Sequence, residues 1–393
     1  MFYVAALLAA AHLRTCEDIA RAEMNPDQSA LSERWSANPM RQAGKDALDR
    51  LRRGLAPNAA RLPVVNGLAD LRGFQFPSPV VLNEISGSAG PLSGRDRVQR
   101  IKGRETLHRI TLADVDFSFA KVGGTFWENC TFERVKFREA DLRSVRFAAC
   151  NFKDVDFDQS NMENTYHGTT INSTNGTYER VTFRASNLVR SVYSSPRFSN
   201  CDFSRARLDG VDFRGSRFER CKFAGRLNQV WFRGRFPDAS PGEQEALRRT
   251  GIDPASLVNP MHQVDFSDAV LDDCMFVNGI DLSTCRFSND GVHIVLRNRT
   301  ATFRELEDRI SRTWSEPSRS AALRLCQRLS SRQDKVGQAM DVINRQTFGA
   351  PPTGKAESRA WLPTFLALVQ QLSLLLEESC LPSGCSSQSW LHF

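Results

Sequence analysis

Between Ile110 and Met162 the sequence repeats every five residues. Counting in fives from Leu112 gives Phe117, Val122, Trp127, Phe132, Phe137, Leu142, Phe147, Phe152, Phe157 and Met162, with no polar member. Two places before each lie Ile110, Val115, Ala120, Thr125, Cys130, Val135, Ala140, Val145, Cys150, Val155 and Ser160, all small or β-branched. The other three slots are mostly charged or polar, as in Glu133-Arg134 and Arg138-Glu139. A helix needs apolar residues every 3.6 positions and a strand every two. A five-residue period fits neither, because on a helix it would spread the apolar residues around the whole barrel. A solenoid with one quintet per side accommodates it: two residues point inward and three face out or turn the corner.

If four quintets close a coil, residues twenty apart stack. Val115, Val135 and Val155 then form one inner column, and Phe117, Phe137 and Phe157 another. Column identity of this kind is what close packing requires. The quintets Ala140-Asp141-Leu142-Arg143-Ser144 and Ala206-Arg207-Leu208-Asp209-Gly210 resemble the A(D/N)LXX unit of pentapeptide-repeat proteins. That resemblance implies an all-β solenoid core, a right-handed four-sided β-helix, over roughly the middle half of the chain. Helical patterns on either side of it predict α-helical N- and C-terminal flanks.

The ladder pauses in the Asn-, Thr- and Gly-rich stretch Glu163–Thr177, then resumes one residue out of register. Its second block runs Tyr178, Phe183, Leu188, Tyr193, Phe198, Phe203, Leu208, Phe213, Phe218 and Phe223. The pause reads as a bulge or small loop that holds His167, Asn172 and Asn175, and the lone His167 reads as solvated. A larger interruption spans 226–263. There Ser240-Pro241-Gly242-Glu243 offers N-cap, N1 and N3 signals and Gly251 a stop, predicting one short projecting helix. The ladder returns at Phe266, Leu271 and Phe276, slips once, and continues at Leu282 and Phe287.

The expected organisation is a cap or targeting region over 1–100, β-helix over 101–225 and the insertion at 226–263. Last coils follow over 264–296, helices over 297–348, and a linker, an apolar helix and a tail over 349–393. The first hundred residues show no repeat. Lys45–Leu55 has helical spacing with Leu48, Leu51 and Leu55 on one face, and Ser86–Gly94 reads as a linker. From Arg304 to Phe348 the period is helical through Val336, Met340 and Ile343, giving two or three helices, the first a candidate cap for the last coil. Trp361–Leu376 reads as a further helix.

The 26 Phe against 4 Tyr follow from the ladder. Six of the ten cysteines (Cys130, Cys150, Cys201, Cys221, Cys274 and Cys285) occupy the small inward slot, where cysteine acts as a small hydrophobe. They are expected to be free thiols. The net charge of +7 lies in the flanks, notably Arg304, Arg309, Arg312, Arg319, Arg324, Arg328 and Arg332, a run that reads as a solvated helix face. This distribution argues against a nucleic-acid partner. No segment supplies the roughly 20 apolar residues of a membrane span, and Met1–Leu13 lacks the basic start of a secretory signal.

No reactive constellation stands out. Gly349–Ala356 misses a phosphate-binding loop at Ala356 and carries two prolines. Cys380 and Cys385 are too isolated for zinc. No catalytic, cofactor or metal residue is therefore assigned. The expected function is a non-enzymatic scaffold or protein-binding module, most simply bacterial and cytoplasmic. Secreted bacterial effectors that join a β-helix to helices, some bearing a ubiquitin-ligase lobe, are similar in order and give an alternative. The DNA-mimicking, gyrase-binding branch is a weaker one, since it needs an acidic rod.

Overall fold

The computed structural model describes residues 28–57, 61–85, 97–168, 176–234, 258–289, 291–332, 338–345 and 362–378, with residues 245, 248 and 249. Its core is a four-sided β-helix. Phe132 pairs in parallel with Phe152, and Trp127 with Phe147, so one coil takes twenty residues. In the coil from Thr111, side one is the strand Thr111–Asp116 and side four the strand Phe126–Glu128. Sides one and four build eight-stranded sheets, while sides two and three are joined by single bridges such as Asp141↔Asn161.

Every ladder position named above, from Phe117 through Phe132, Phe137, Leu142, Phe147, Phe152, Phe157, Phe183, Leu188, Phe203, Leu208, Phe213, Phe218, Phe223, Phe266 and Leu271 to Phe276, is buried. On side two the rings of Phe117, Phe137, Phe157, Phe183, Phe203, Phe223, Phe266 and Phe287 stack in one column at 4.7–5.5 Å. Burying each such ring contributes about 2–3 kcal/mol. The corners of the regular coils are made by the second residue after most ladder positions, which takes a positive φ even when it is Glu139 (55°), Ser144 (58°) or Gln159 (61°). That conformation strains L-residues. It is held because each corner N–H bonds the next coil, as Glu139 N–H does to the Asp158 carbonyl at 3.0 Å.

The β-helix begins earlier than expected. Ala69-Asp70-Leu71-Arg72-Gly73 is itself a repeat quintet, paired with the coil above through Ala69↔Val115 and Gln75↔Lys121. An antiparallel hairpin, Val80–Ile85 with Arg97–Lys102, interrupts that first coil and hides its period, which corrects the expectation of an unrepeated first hundred residues. The Ser86–Gly94 stretch lies outside the described residues. Helices α1 (Gln28–Glu33) and α2 (Met40–Arg52) cover the open end. Ala47 and Leu51 of α2 join the ladder's own cluster, and Trp35 meets Phe74 edge-on at 5.2 Å. Leu55 is not on that face: Gly54, at φ +75°, ends the helix and leaves Leu55 exposed. Asp70 is buried against two guanidiniums, Arg34 at 2.7 Å and Arg72 at 3.0 Å. Burial would raise its carboxyl, but the Arg34 and Arg72 hydrogen bonds outweigh that and hold it well below the usual range.

The interruption at 226–263 is shorter than its sequence suggests. Leu227 and Phe232 are ladder residues on the strands Gly225–Asn228 and Trp231–Arg233. The coil there has one residue fewer, since Phe213 pairs with Phe232, nineteen positions on, and that deletion broke the count. The chain departs only after Gly234. Its base is closed by Asn259 N–H donating to the Gly234 carbonyl at 2.7 Å, while Asn259 Oδ1 accepts from Phe218 N–H at 3.1 Å. The expected helix start at Ser240–Glu243 lies outside the described residues, though Glu245, Arg248 and Arg249 are helical.

After Phe287 the architecture changes. His293–Leu296 pairs antiparallel with Asp341–Asn344, so neither the last coil at 293–296 nor the helix through Ile343 is correct. Val336 lies outside the described residues, and the spacing of Met340 and Ile343 is coincidental, because Met340 and Val342 turn toward the last coil while Ile343 faces the other way, into a second core. That core comprises Ile294, Leu296 and Ile343 with α3 (Arg299–Thr313), α4 (Ser318–Ser330) and α5 (Leu362–Glu378). The two-stranded hairpin, not α3, therefore covers the β-helix end. Arg309 and Arg312 pair with Glu305 and Asp308 one turn back, as a solvated face does.

Candidate functional site

The outward positions decide what the four sides can do. On side one the corner residues alternate in sign along the axis. Asp114 takes both arms of Arg134 (2.6 and 2.9 Å), and Asp154 takes both arms of Arg180 (2.6 and 2.9 Å). These exposed pairs hold the Asp114 and Asp154 carboxyls below the usual range through the arginine hydrogen bonds. Their stabilisation is small. Sides two and three are similarly mixed, with Lys136, Asp156 and Asp202 on one and Asp141, Arg143 and Arg207 on the other.

Side four differs. Its first outward row, read strand to strand, is Thr106, Phe126, Arg146, Tyr166, Val192, Asp212, Trp231 and Met275. Tyr166 and Trp231 are the exposed aromatic residues among those described, at 38% and 37%. With strands about 4.8 Å apart they stand about 14 Å from each other. Tyr166 lies along its strand directly over Gly168: a Cβ there would come 2.5 Å from the ring, so glycine is what lets the ring lie flat. The Arg233 guanidinium sits 5.0 Å over the Trp231 ring and is steadied by Asp212 at 3.3 Å.

The three long insertions into the coils all adjoin this side. The hairpin at 80–102 enters just before the side-four strand Thr106–His108. The chain leaves the coil directly after Gly168 and again directly after Gly234, each at the end of a side-four strand. Phe152 pairs with Tyr178, twenty-six positions on, so the first of these insertions adds six residues to a coil.

His167 is not solvated. It is the rung after Met162, stacked between Phe147 (5.2 Å) and Tyr193 (4.3 Å), and 1% exposed. Tyr178 Oη meets its Nδ1 at 2.5 Å and its Nε2 meets Thr165 Oγ1 at 3.0 Å. Thr165 donates to Ser191 Oγ (2.9 Å) and Ser191 to the Met162 carbonyl (2.7 Å), so the chain runs one way with the ring protonated at Nε2. Burial drives the imidazole pKa down to about 3. Asn172 and Asn175 lie outside the described residues.

Chemistry remains sparse. Among the described residues no group of three or more His, Cys, Asp or Glu could hold a metal ion. The thiols of Cys130, Cys150, Cys201, Cys221 and Cys326 are free and buried, and those of Cys274 and Cys285 free and half-buried. Burial pushes Cys150 and Cys201 upward, and Cys274 and Cys285 to about 12, so none of these four is a ready thiolate. Residues 349–356, Cys380 and Cys385 lie outside the described residues. No helix among the described residues is long and apolar enough to cross a membrane.

Stacked quintets, a four-sided cross-section and paired inward columns define a pentapeptide-repeat β-helix with helical flanks. A sequence profile described as pentapeptide repeats matches eight copies at residues 112–148 and 194–225. A comparison with curated proteins gives no match. Among solved structures, HetL, a pentapeptide repeat protein involved in heterocyst differentiation regulation from the cyanobacterium Nostoc sp., is 11% identical. The match covers 47% of this chain and 87% of HetL, with a TM-score of 0.25. Full-length QnrB1, a plasmid-mediated fluoroquinolone resistance protein, is 15% identical over 56% of this chain and 92% of its own, with a TM-score of 0.18. Rfr23, from the cyanobacterium Cyanothece, is 13% identical over 39% and 87%, with a TM-score of 0.17.

Proposed function

We propose that this protein is a non-enzymatic scaffold that docks a protein partner on side four of its β-helix. One observation carries the reading: the exposed aromatics Tyr166 and Trp231 share a single flat row, bordered by all three insertions. Aromatic anchors beside arginine are the side chains that dominate protein interfaces, and insertions on a rigid scaffold commonly carry function. The test is a Tyr166→Ser/Trp231→Ser double variant against an Arg138→Ser control on side two, with a partner recovered by affinity capture. The double variant should keep its melting temperature and lose tenfold or more in affinity, and the control should lose neither. Unchanged affinity in the double variant contradicts the reading.

A second reading, a secreted effector acting in a host cell, is favoured by the separate helical core that follows the β-helix. Fusing residues 1–100 to a reporter tests it: translocation supports export, and retention in the bacterium supports a cytoplasmic scaffold. The alternating signs along side one, Asp114, Arg134, Asp154 and Arg180, do not favour a DNA mimic.

A further inference from the structure

The last coil and the C-terminal core enclose a cleft of about 430 Å³ between them. Small-ligand sites typically occupy ~300–1,000 Å³ and favour such junctions. Arg286 enters from the coil and Arg297 from the segment after His293–Leu296, and both are exposed. His293, Ser288, Asn289 and Gln370 add to the polar lining, and no carboxylate is among its described residues. His293 is buried, and its Nε2 accepts from Leu271 N–H at 3.0 Å, which leaves the ring proton on Nδ1. Part of the remaining wall is apolar. Phe287 stacks on Phe266 at 5.5 Å with one face and bounds the cleft with the other, and Leu374 of α5 stands 55% exposed across from it. Ser373 donates to the Val295 carbonyl at 2.6 Å and fixes that helix to the strand.

We propose that this cleft binds a small amphipathic anion, a carboxylate on an apolar body. Arg286 and Arg297 hold the carboxylate, as guanidiniums do in paired hydrogen bonds, and Phe287 with Leu374 holds the body. The site is separate from side four, and because its two arginines come from the two cores, an occupant clamps one core to the other. The carboxylate can belong to a free acid or to the C-terminus of a peptide.

Calorimetric titration of the full chain tests this with sodium octanoate, 1-octanol, and the tripeptide Ala-Leu-Leu as free acid or amide. At least one acid should bind at a single site, with 1-octanol and the amide tenfold or more weaker. The tighter of the two acids identifies the source. Arg286→Gln/Arg297→Gln should weaken the acid at least tenfold, and Leu374→Ser should weaken it too. Should the double variant melt early, the exposed Leu374→Ser carries the test alone, and its full affinity contradicts the site. Absence of binding by both acids, or equal binding of octanol and octanoate, overturns the proposal.

Discussion

At the residue scale, position within the quintet outweighs residue type. Leu142 is fully buried and Arg143 is exposed beside it, held at 2.6 Å to Asp141. Leu142→Lys places an unpaired charge in a dry column and should cost several kcal/mol, whereas Arg143→Lys should cost less than about 0.5 kcal/mol. Similar thermal melts for the two would contradict the inward assignment. Ser144, at φ +58°, should gain about 0.5–1 kcal/mol on conversion to glycine, read by denaturant midpoint. His167 makes a pH prediction. Its folded pKa of about 3 lies below the unfolded value near 6.5, so the unfolded state binds the proton first as pH falls. Its stabilisation is complete above about pH 6.5 and declines between there and about pH 3, by about 1.4 kcal/mol per unit. His167→Phe should remove that component from the slope of melting temperature between pH 7.5 and 4.5; an unchanged slope sinks it. The sequence stated these slots clearly but not this one. His167 falls five after Met162, yet a polar side chain beside an Asn-rich stretch reads as solvent-facing until Thr165, Tyr178 and Ser191 are seen to satisfy it.

At the element scale, regular coils were legible and interrupted ones were not. The quintet Ala69–Gly73 carries the family pattern openly, but a hairpin separates it from the next coil, so no period links them. One deleted residue before Leu227 hid two further sides of the helix. The strand Asp341–Asn344 was illegible for a different reason: its partner His293–Leu296 lies far away in sequence, and a four-residue strand has no period of its own. Apolar spacing alone sufficed for α5, expected over 361–376 and found at Leu362–Glu378. The bond between Gly234 and Asn259 shows that the ends of the large insertion already meet. Replacing 235–257 by a short Gly/Ser link should therefore leave the melting temperature within a few degrees, since long surface insertions cost little closure entropy. Gly234 must stay, because a Cβ there would lie 2.3 Å from the Ile280 nitrogen. Early melting after excision would make the segment a brace rather than an appendage.

For the whole molecule, two cores meet at one end of a rigid column, with Phe, Tyr and His rings running its length. Among the described residues, side four alone combines exposed aromatics with the three points where long insertions leave the coils. The sequence announced the column, but which side carries the contact could be known only once the strand register aligned Tyr166, Val192, Asp212 and Trp231. The most direct measurement is a crosslinking map. A photoreactive amino acid is placed singly at Phe126, Val192 and Met275 on side four, and at Arg138, Thr182 and Ser204 on side two. Capture of the partner from side-four positions and not from side two is the predicted result. Equal capture from both sides, or capture from side two alone, would contradict the account.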